Sequence, residues 1–599
     1  MEEPAKSAAR TSSPDDFGYS PNVPMKPRPR VAVEALGLIL SAAWAVILLA
    51  HALGGAKRAL LLDDGDTVLL PMIKQSFERG QPIEWGMSPV LFVFPELPLY
   101  LAAAAVTSTV AAALLVSGVV NVVILYGLLR AVTGRVAPGR AGVGVAAALS
   151  ATALFSVLSL LETRPGGNSG EIASLYLTTT YYSGTVMALV AAIGLTLHLA
   201  GVPGGRITTR RRMRVAPIAL ALLSALATLS NPLFVLWATA PLVVALGALA
   251  LLTRFTPART RSGPRRPVTA AAALLVGAGV GYLGREPLQR FIIADKTEYL
   301  RFGGGAASLR FFGDSAAVLV QTPGGVVEAA VGILLTVAVV VLTIGRLTRG
   351  RRDPATVAGL VVVATVVVVP VGLLVTGSLS TRYAMPLMFT PIVALAALVA
   401  DALVHRRPRA WRERVQGREQ EQGRKGQQGR GRRVPAVVAG VAVVLLLTVV
   451  LVVPGAGRVV AAGRSLGDPA AGCLTNWARG KDVAGVAQFW TGRPLEAYGG
   501  ADVDVLQVNS DFTVYPWLVN LAAYRDARVG YVIVATGPTP GDHLEGWGDS
   551  VTDLGTPRAV VRCDGYDIDD FRGTPGETAL TQRVEGSARV LAALRGLGW

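Results

Sequence analysis

Charge is what this sequence has least of. Only 16% of its 599 residues are Asp, Glu, Lys or Arg, where an ordinary soluble domain carries about 25%. With 52% hydrophobic residues and a mean hydropathy of +0.48, that shortage indicates an integral membrane protein. Histidine is scarcer still. His51, His198, His405 and His543 are scattered at no spacing that suits a zinc site. No P-loop or HExxH is present, which argues against an ATP-driven pump, and no nucleotide cofactor is expected. Cysteine occurs twice, at Cys473 and Cys563, both late in the chain. If that part is exported a disulfide is permitted; two unpaired buried thiols are the alternative.

What charge there is lies unevenly. The net charge is +17, yet 454–599 holds 13 Lys and Arg against 17 Asp and Glu, a net of −4, so the rest carries +21. That excess sits in short loops between apolar runs, which is the positive-inside pattern of a polytopic protein and not the footprint of a nucleic-acid binder. Apolar runs at 31–53, 106–130, 141–161, 183–202, 215–231, 233–253, 268–284, 326–345, 355–376, 384–403 and 434–453 are read as 11 transmembrane helices. The loops after the second, fourth, sixth, eighth and tenth runs are the basic ones. The last of them, within 404–433, holds 11 Lys and Arg against three Glu. The amino terminus is therefore expected in the cytoplasm and the carboxy terminus outside, in a multi-pass protein of the plasma membrane.

Three domains follow. Residues 1–30 are polar and proline-rich and are expected to be a disordered cytoplasmic tail. Residues 31–453 are the membrane domain, with an external loop at 54–100 and a basic cytoplasmic linker at 404–433. Residues 454–599 are read as an extracytoplasmic α/β domain. Its expected strands are 503–508, 531–536 and 559–563, and its expected helices 482–489, 517–524 and 577–594.

The external loop gathers the acidic groups. Asp63, Asp64 and Asp66 fall within four residues, just after the first span. Asp66 is expected to cap a helix over 67–79 that Gly80 stops. Between the ninth and tenth spans lies Arg382-Tyr383, with Pro386 just inside the next helix. Arg382 and Arg285 are cations on the outer side, where arginine is under-represented. An acidic loop facing an external arginine suits transfer from a lipid-phosphate donor. A carboxylate takes the proton from an attacking hydroxyl, and a guanidinium fork holds the departing phosphate. Paired carboxylates can instead bind Mg2+ or Mn2+. For the other loop groups, Glu84, Glu96, Lys296 and Arg301, solvation is the simpler reading. Trp490, Tyr515, Trp517 and Tyr524 read better as core than as sugar platforms.

Asp63-Asp64 directly after the first span, the external helix ending at Gly80, and the Arg-Tyr-x-x-Pro element at 382–386 together resemble the GT-C superfamily of integral membrane glycosyltransferases. The likeness is to the polyprenyl-phosphate-sugar-dependent type related to protein mannosyltransferases and aminoarabinose transferases. It implies an inverting transfer of a sugar from a polyprenyl-phosphate donor to an extracytoplasmic glycan, lipid or protein acceptor. It assigns the catalytic position to Asp63 with Asp64 as its acidic neighbour, and the donor phosphate to Arg382 with Tyr383. A metal would fall to Asp64 with Glu96, the looser match. Asp-Asp stands where the family has Asp-Glu, which leaves open which carboxylate is the base. The alternative is a non-catalytic membrane transporter, or an envelope-assembly scaffold presenting the C-terminal domain. The near absence of charge at the span centres favours the enzyme.

The loop charges yield a direct test. Cysteine labels or reporter fusions at positions 420 and 550 should report opposite sides of the membrane, and same-side signals would overturn the topology.

Overall fold

The computed structural model describes residues 27–200, 210–254, 265–293, 301–405, 434–464, 469–500, 503–540 and 543–599. Most of the tail expected at 1–30, the linker from 406 to 433, and Lys296 lie outside them.

The membrane domain is a bundle of apolar helices. In chain order these include α1 (Pro27–Leu53), α4 (Val110–Val136), α5 (Ala141–Leu161), α6 (Ser183–Ala200), α7 (Arg210–Ser230) and α8 (Ala240–Arg254). They continue with α9 (Arg265–Leu283), α10 (Gly305–Leu319), α11 (Pro323–Thr348), α12 (Pro354–Val375), α13 (Met385–His405) and α14 (Val434–Arg464). Valine-rich α12 would be a poor helix in water. In lipid no other conformation satisfies its backbone, so it forms regardless of propensity. Among the described residues eight helices, not 11, are long and apolar enough to cross a membrane. The runs expected at 183–202 and 215–231 form the shorter apolar helices Ser183–Leu199 and Val215–Ser230, within α6 and α7. The run expected at 434–453 lies within α14, which is not among the eight.

Small residues set how closely these helices approach. A Cβ added at Gly277 or Gly281 would lie 2.2 Å from the carbonyl oxygen of Ala221 or Ala225, so α7 and α9 touch backbone to backbone. At the end where α11 meets α12, Arg346 donates to Asp353 (2.6 Å) and Asp401 (2.8 Å), joining α11, α12 and α13. A buried pair of this kind costs roughly 3–5 kcal/mol to break from one side.

The loop at 54–100, expected to be external, is the largest departure from the bundle. It runs through a wide turn at Ala59–Asp63, helix α2 (Leu69–Glu78), the two-residue strand β1 (Trp85–Gly86) and helix α3 (Glu96–Ala104). Gly80 follows α2 at φ +63°, the left-handed stop expected from the sequence.

The C-terminal domain is built on a five-stranded sheet. Its strands are β2 (Ala484–Ala487), β3 (Val505–Gln507), β5 (Val529–Ala535), β6 (Ala559–Arg562) and β7 (Tyr566–Asp570), in the order β3-β2-β5-β7-β6. The first three are parallel and the last two antiparallel to their neighbours. Alternation along β5 puts Tyr531 and Ile533 against α15 (Pro469–Ala478) and puts Val532 against α17 (Pro575–Leu594). Two sequence expectations fail here. The helix expected at 482–489 contains β2, because a central parallel strand buried on both faces reads as an unbroken apolar run, Ala-Gly-Val-Ala. The helix expected at 517–524 becomes β4 (Val519–Asn520) and a single tight turn, Leu521–Tyr524. Strand β4 pairs antiparallel with β1 of the external loop, Trp85 opposite Asn520, a partner 435 positions away that no local pattern announces. Strand β7 and helix α16 (Phe489–Gly499) are further elements that the sequence reading did not mark.

Cys473 and Cys563 are bonded, Cα to Cα 5.9 Å, tying α15 to the end of β6. Closing a loop of 90 residues contributes about 4–5 kcal/mol on chain-entropy grounds. Cys473→Ser should therefore lower the melting temperature of the purified protein by several degrees; an unchanged melt would refute the contribution.

Candidate functional site

The site is assembled where the external loop meets the loop at 162–182 and the start of α13. The wide turn at 59–63 ends in an extended residue, Asp64 (φ −75°, ψ 133°), and its carboxylate folds back over the chain that follows. Asp64 Oδ1 accepts the N–H groups of Asp66 (3.0 Å) and Thr67 (3.3 Å). Asp64, not Asp66, is thus the residue that closes the turn before α2. The correction has a geometric cause. Two residues of irregular backbone, Thr67 and Val68, separate Asp66 from α2, whose first turn receives no side-chain cap.

A third donor completes Asp64: the hydroxyl of Tyr181, 3.0 Å from Oδ1. Tyr181 arrives on the 162–182 loop, which is fixed at several points. Glu162 accepts the N–H groups of Ala173 and Ser174, and Lys57 lies 3.1 Å from Glu171. Thr179 donates to the Thr67 carbonyl (3.3 Å). Asp64 is 1% exposed. Burial, and after it the neighbouring Asp66, push its carboxyl up to about 7 against the three hydrogen bonds that favour the anion.

Released from capping, Asp66 faces the arginine. Its Oδ2 lies 3.5 Å from Arg382 Nη1, across 316 positions of sequence, and its Oδ1 is buried without a hydrogen-bond partner. Arg382 is held otherwise by Nε donation to Ser380 Oγ (3.1 Å) and by the faces of Tyr181 and Tyr182, whose ring centroids lie 5.1 and 5.7 Å from its guanidinium carbon. Asn168 accepts from Ser380 Oγ and from the Thr381 N–H, both at 3.1 Å, so the 162–182 loop positions both sides of the site.

The other residues singled out in the sequence lie as follows. Asp63 accepts from Arg58 Nη1 at 2.6 Å. Tyr383 meets the Tyr182 ring edge-on at 5.8 Å, beside Arg382 in sequence. Glu96 opens α3 and lines a small cavity with Leu99, Tyr100, Asn121 and Thr179 that Asp64 does not border; burial pushes its carboxyl up to about 8. Among the described residues no group of three or more His, Cys, Asp or Glu side chains gathers as a metal site. Arg285 has a structural reason for its place: it is buried and donates to the carbonyls of Leu229 (2.6 Å) and Pro89 (2.5 Å), pinning the external loop to the end of α7. Glu84 pairs with Arg525 of the C-terminal domain at 2.8 Å. Trp490, Tyr515 and Trp517 pack against the main core.

The chain is similar to solved structures of two other proteins. Crystal structures of ArnT from Cupriavidus metallidurans match it in the apo state (15% identity, TM-score 0.46, 90% of this chain and 97% of that one). They also match it with undecaprenyl phosphate bound (15%, TM-score 0.48, 91% and 98%). A crystal structure of the Archaeoglobus fulgidus oligosaccharyltransferase, tethered to an acceptor peptide containing the NVT sequon, matches at 14% identity with a TM-score of 0.39, over 85% of this chain and 69% of that one. No protein-family model and no curated protein matches the sequence. The functional reading rests on the site.

Sequence reasoning missed Lys57 and Asn168. Neither lies in a motif, and only the clustering of polar residues at 162–182 pointed toward Asn168.

The raised Asp64 carboxyl has a consequence for stability. Its folded value, about 7, lies above its ordinary value of 3.8. Its contribution is therefore fully present below about pH 4 and is lost as pH rises through about 7. Asp64→Asn, which buries no charge, should melt higher than the wild type at pH 8 and lose that slope between pH 4 and 7. A variant that melts lower at pH 8 would contradict the burial argument.

Proposed function

We propose that this chain is a GT-C-type membrane glycosyltransferase. It moves a sugar, with inversion, from a polyprenyl-phosphate donor to an acceptor outside the cytoplasm. The observation that carries this reading is the meeting of Asp64, Asp66, Tyr181 and Arg382. A buried carboxylate and a guanidinium come from opposite ends of the membrane domain and share one tyrosine. Ordinary solvated loop charges have no need of that arrangement.

Asp64 is the better candidate for the base than Asp63, which is occupied by Arg58. A base works best when its pKa lies near the working pH, and burial brings Asp64 to about 7. In the proposed step the acceptor hydroxyl attacks the anomeric carbon, and its proton passes to Asp64. The bond from that carbon to the phosphate oxygen breaks on the opposite face, and the lipid phosphate leaves with the bonding pair. Arg382 receives that charge. Its contact with Asp66, at 3.5 Å, is long for an ion pair, so a phosphate oxygen competes for the same guanidinium edge at small cost. Tyr181 holds Asp64 in orientation from the far side. Inversion, the polyprenyl-phosphate donor and the outward orientation of the site belong to this proposal, as does a place for Tyr383 beside the donor phosphate.

The test is transfer of labelled sugar from a polyprenyl-phosphate donor by purified variants in nanodiscs. Asp64→Asn should lose roughly 10²–10⁴-fold, while Asp63→Asn, whose carboxylate pairs with the half-exposed Arg58, stays within about tenfold of the wild type. Arg382→Ala should weaken donor binding and rate together, with Arg382→Lys recovering only part because a point charge cannot reproduce the fork. Wild-type rates in Asp64→Asn would end this assignment of the base.

A further inference from the structure

The C-terminal domain reaches the aspartate turn through one buried side chain. Arg493, on α16, is 1% exposed. Its Nε donates to the carbonyl oxygen of Gly65 at 3.0 Å, in the residue that separates Asp64 from Asp66. Its Nη1 donates to Gln507 Oε1 (3.2 Å) and to the Leu518 carbonyl, and its Nη2 is buried without a hydrogen-bond partner. Gln507 is itself fixed, its amide donating to the carbonyls of Tyr515 (2.8 Å) and Trp517 (2.6 Å).

The same helix touches the turn twice more. A Cβ at Gly65 would lie 2.7 Å from the ring of Phe489, so the absence of a side chain there is what lets the domain close down on the loop. Tyr498 donates to the Leu62 carbonyl at 2.8 Å. Phe489 and Leu518 belong to the same apolar core as the outer end of the bundle. Burying a guanidinium is expensive, and apolar contacts alone would dock the domain. An arginine at this place is explained by what only a fork does: it fixes one peptide plane against several acceptors at once.

We infer that Arg493 is a positioning residue for the transfer reaction. By holding the Gly65 carbonyl it sets the peptide between Asp64 and Asp66, so that the first carboxylate turns to Tyr181 and the second to Arg382. The inference rests on the glycosyl-transfer reading. Arg493 remains cationic at neutral pH: burial lowers it, to about 10, with Glu496, Asp66 and Asp64 opposing. The C-terminal domain is then part of the catalytic apparatus without touching the reacting atoms.

Two measurements on the full-length protein test this. The first is kcat against donor KM. Arg493→Met should lower kcat about 10²-fold, the scale of an ångström's misplacement, with KM changed less than about threefold. Arg493→Lys, which keeps charge but not the fork, should remain at least about tenfold down. Arg79→Gln removes another contact of the same interface, to Asp504 and Gly500, and should leave kcat unchanged. The second is hydrogen exchange at the Asp66 and Thr67 amides, both bonded to Asp64, which should quicken in both Arg493 variants but not in Arg79→Gln. Folding is monitored by the Cys473–Cys563 bond. If Arg493→Met does not fold, Gly65→Ala should lose kcat by collision with Phe489, and Phe489→Leu added to it should restore activity. Wild-type kcat and exchange in folded Arg493→Met, equal losses in Arg79→Gln, or an active Gly65→Ala would each overturn the inference. A wild type that transfers no sugar would sink the transferase reading instead, and the exchange measurement would then decide the hold of Arg493 on the turn by itself.

Discussion

Keeping a carboxylate out of water is the constraint on which this end of the membrane domain depends. Asp64 is almost wholly buried and closes its own turn with two backbone N–H groups. It then requires a third donor, and Tyr181 supplies one from a loop more than 100 positions away. That loop stays in place because Glu162 and Glu171 are themselves buried and answered by backbone donors and by Lys57. Each buried polar group is stabilised only by the next. The result is a chain of obligations that runs from the end of α1, through the 162–182 loop, to Asn168 and the backbone that presents Arg382.

The parts of this architecture that lipid dictates were legible in the sequence. A helix in hydrocarbon must satisfy its backbone internally, so apolar length alone located α4, α5, α11, α12 and α13 to within a few residues. The positions of the external helix and of the Arg382 element were legible for similar reasons: Gly80 and Pro386 punctuate the chain locally. What Asp64 and Asp66 do was not. Which of two carboxylates in one turn bends back over the backbone depends on the partner that waits for the other, and Arg382 is 316 positions away. Strand β4 and helix α16 were lost for the same reason. Their partners, β1 and Gly65, belong to another domain.

Three carboxylates crowded into four residues repel one another, and the fold answers each neighbourhood with a cation from a different source. Arg58, from the turn itself, takes Asp63. Arg382, from the start of α13, faces Asp66. Arg493, from the C-terminal domain, takes the peptide between Asp64 and Asp66 rather than either carboxylate. The distinction matters chemically. A guanidinium bonded directly to Asp64 would stabilise the anion and pull its carboxyl down, out of the range where a base exchanges protons near neutrality. Bonded to the Gly65 carbonyl, the same cation leaves the Asp64 carboxylate to Tyr181 and its two backbone donors, which in the proposed transfer keeps it available to the acceptor hydroxyl. Holding a reactive group by its backbone is thus compatible with keeping it reactive, which holding it by its charge is not.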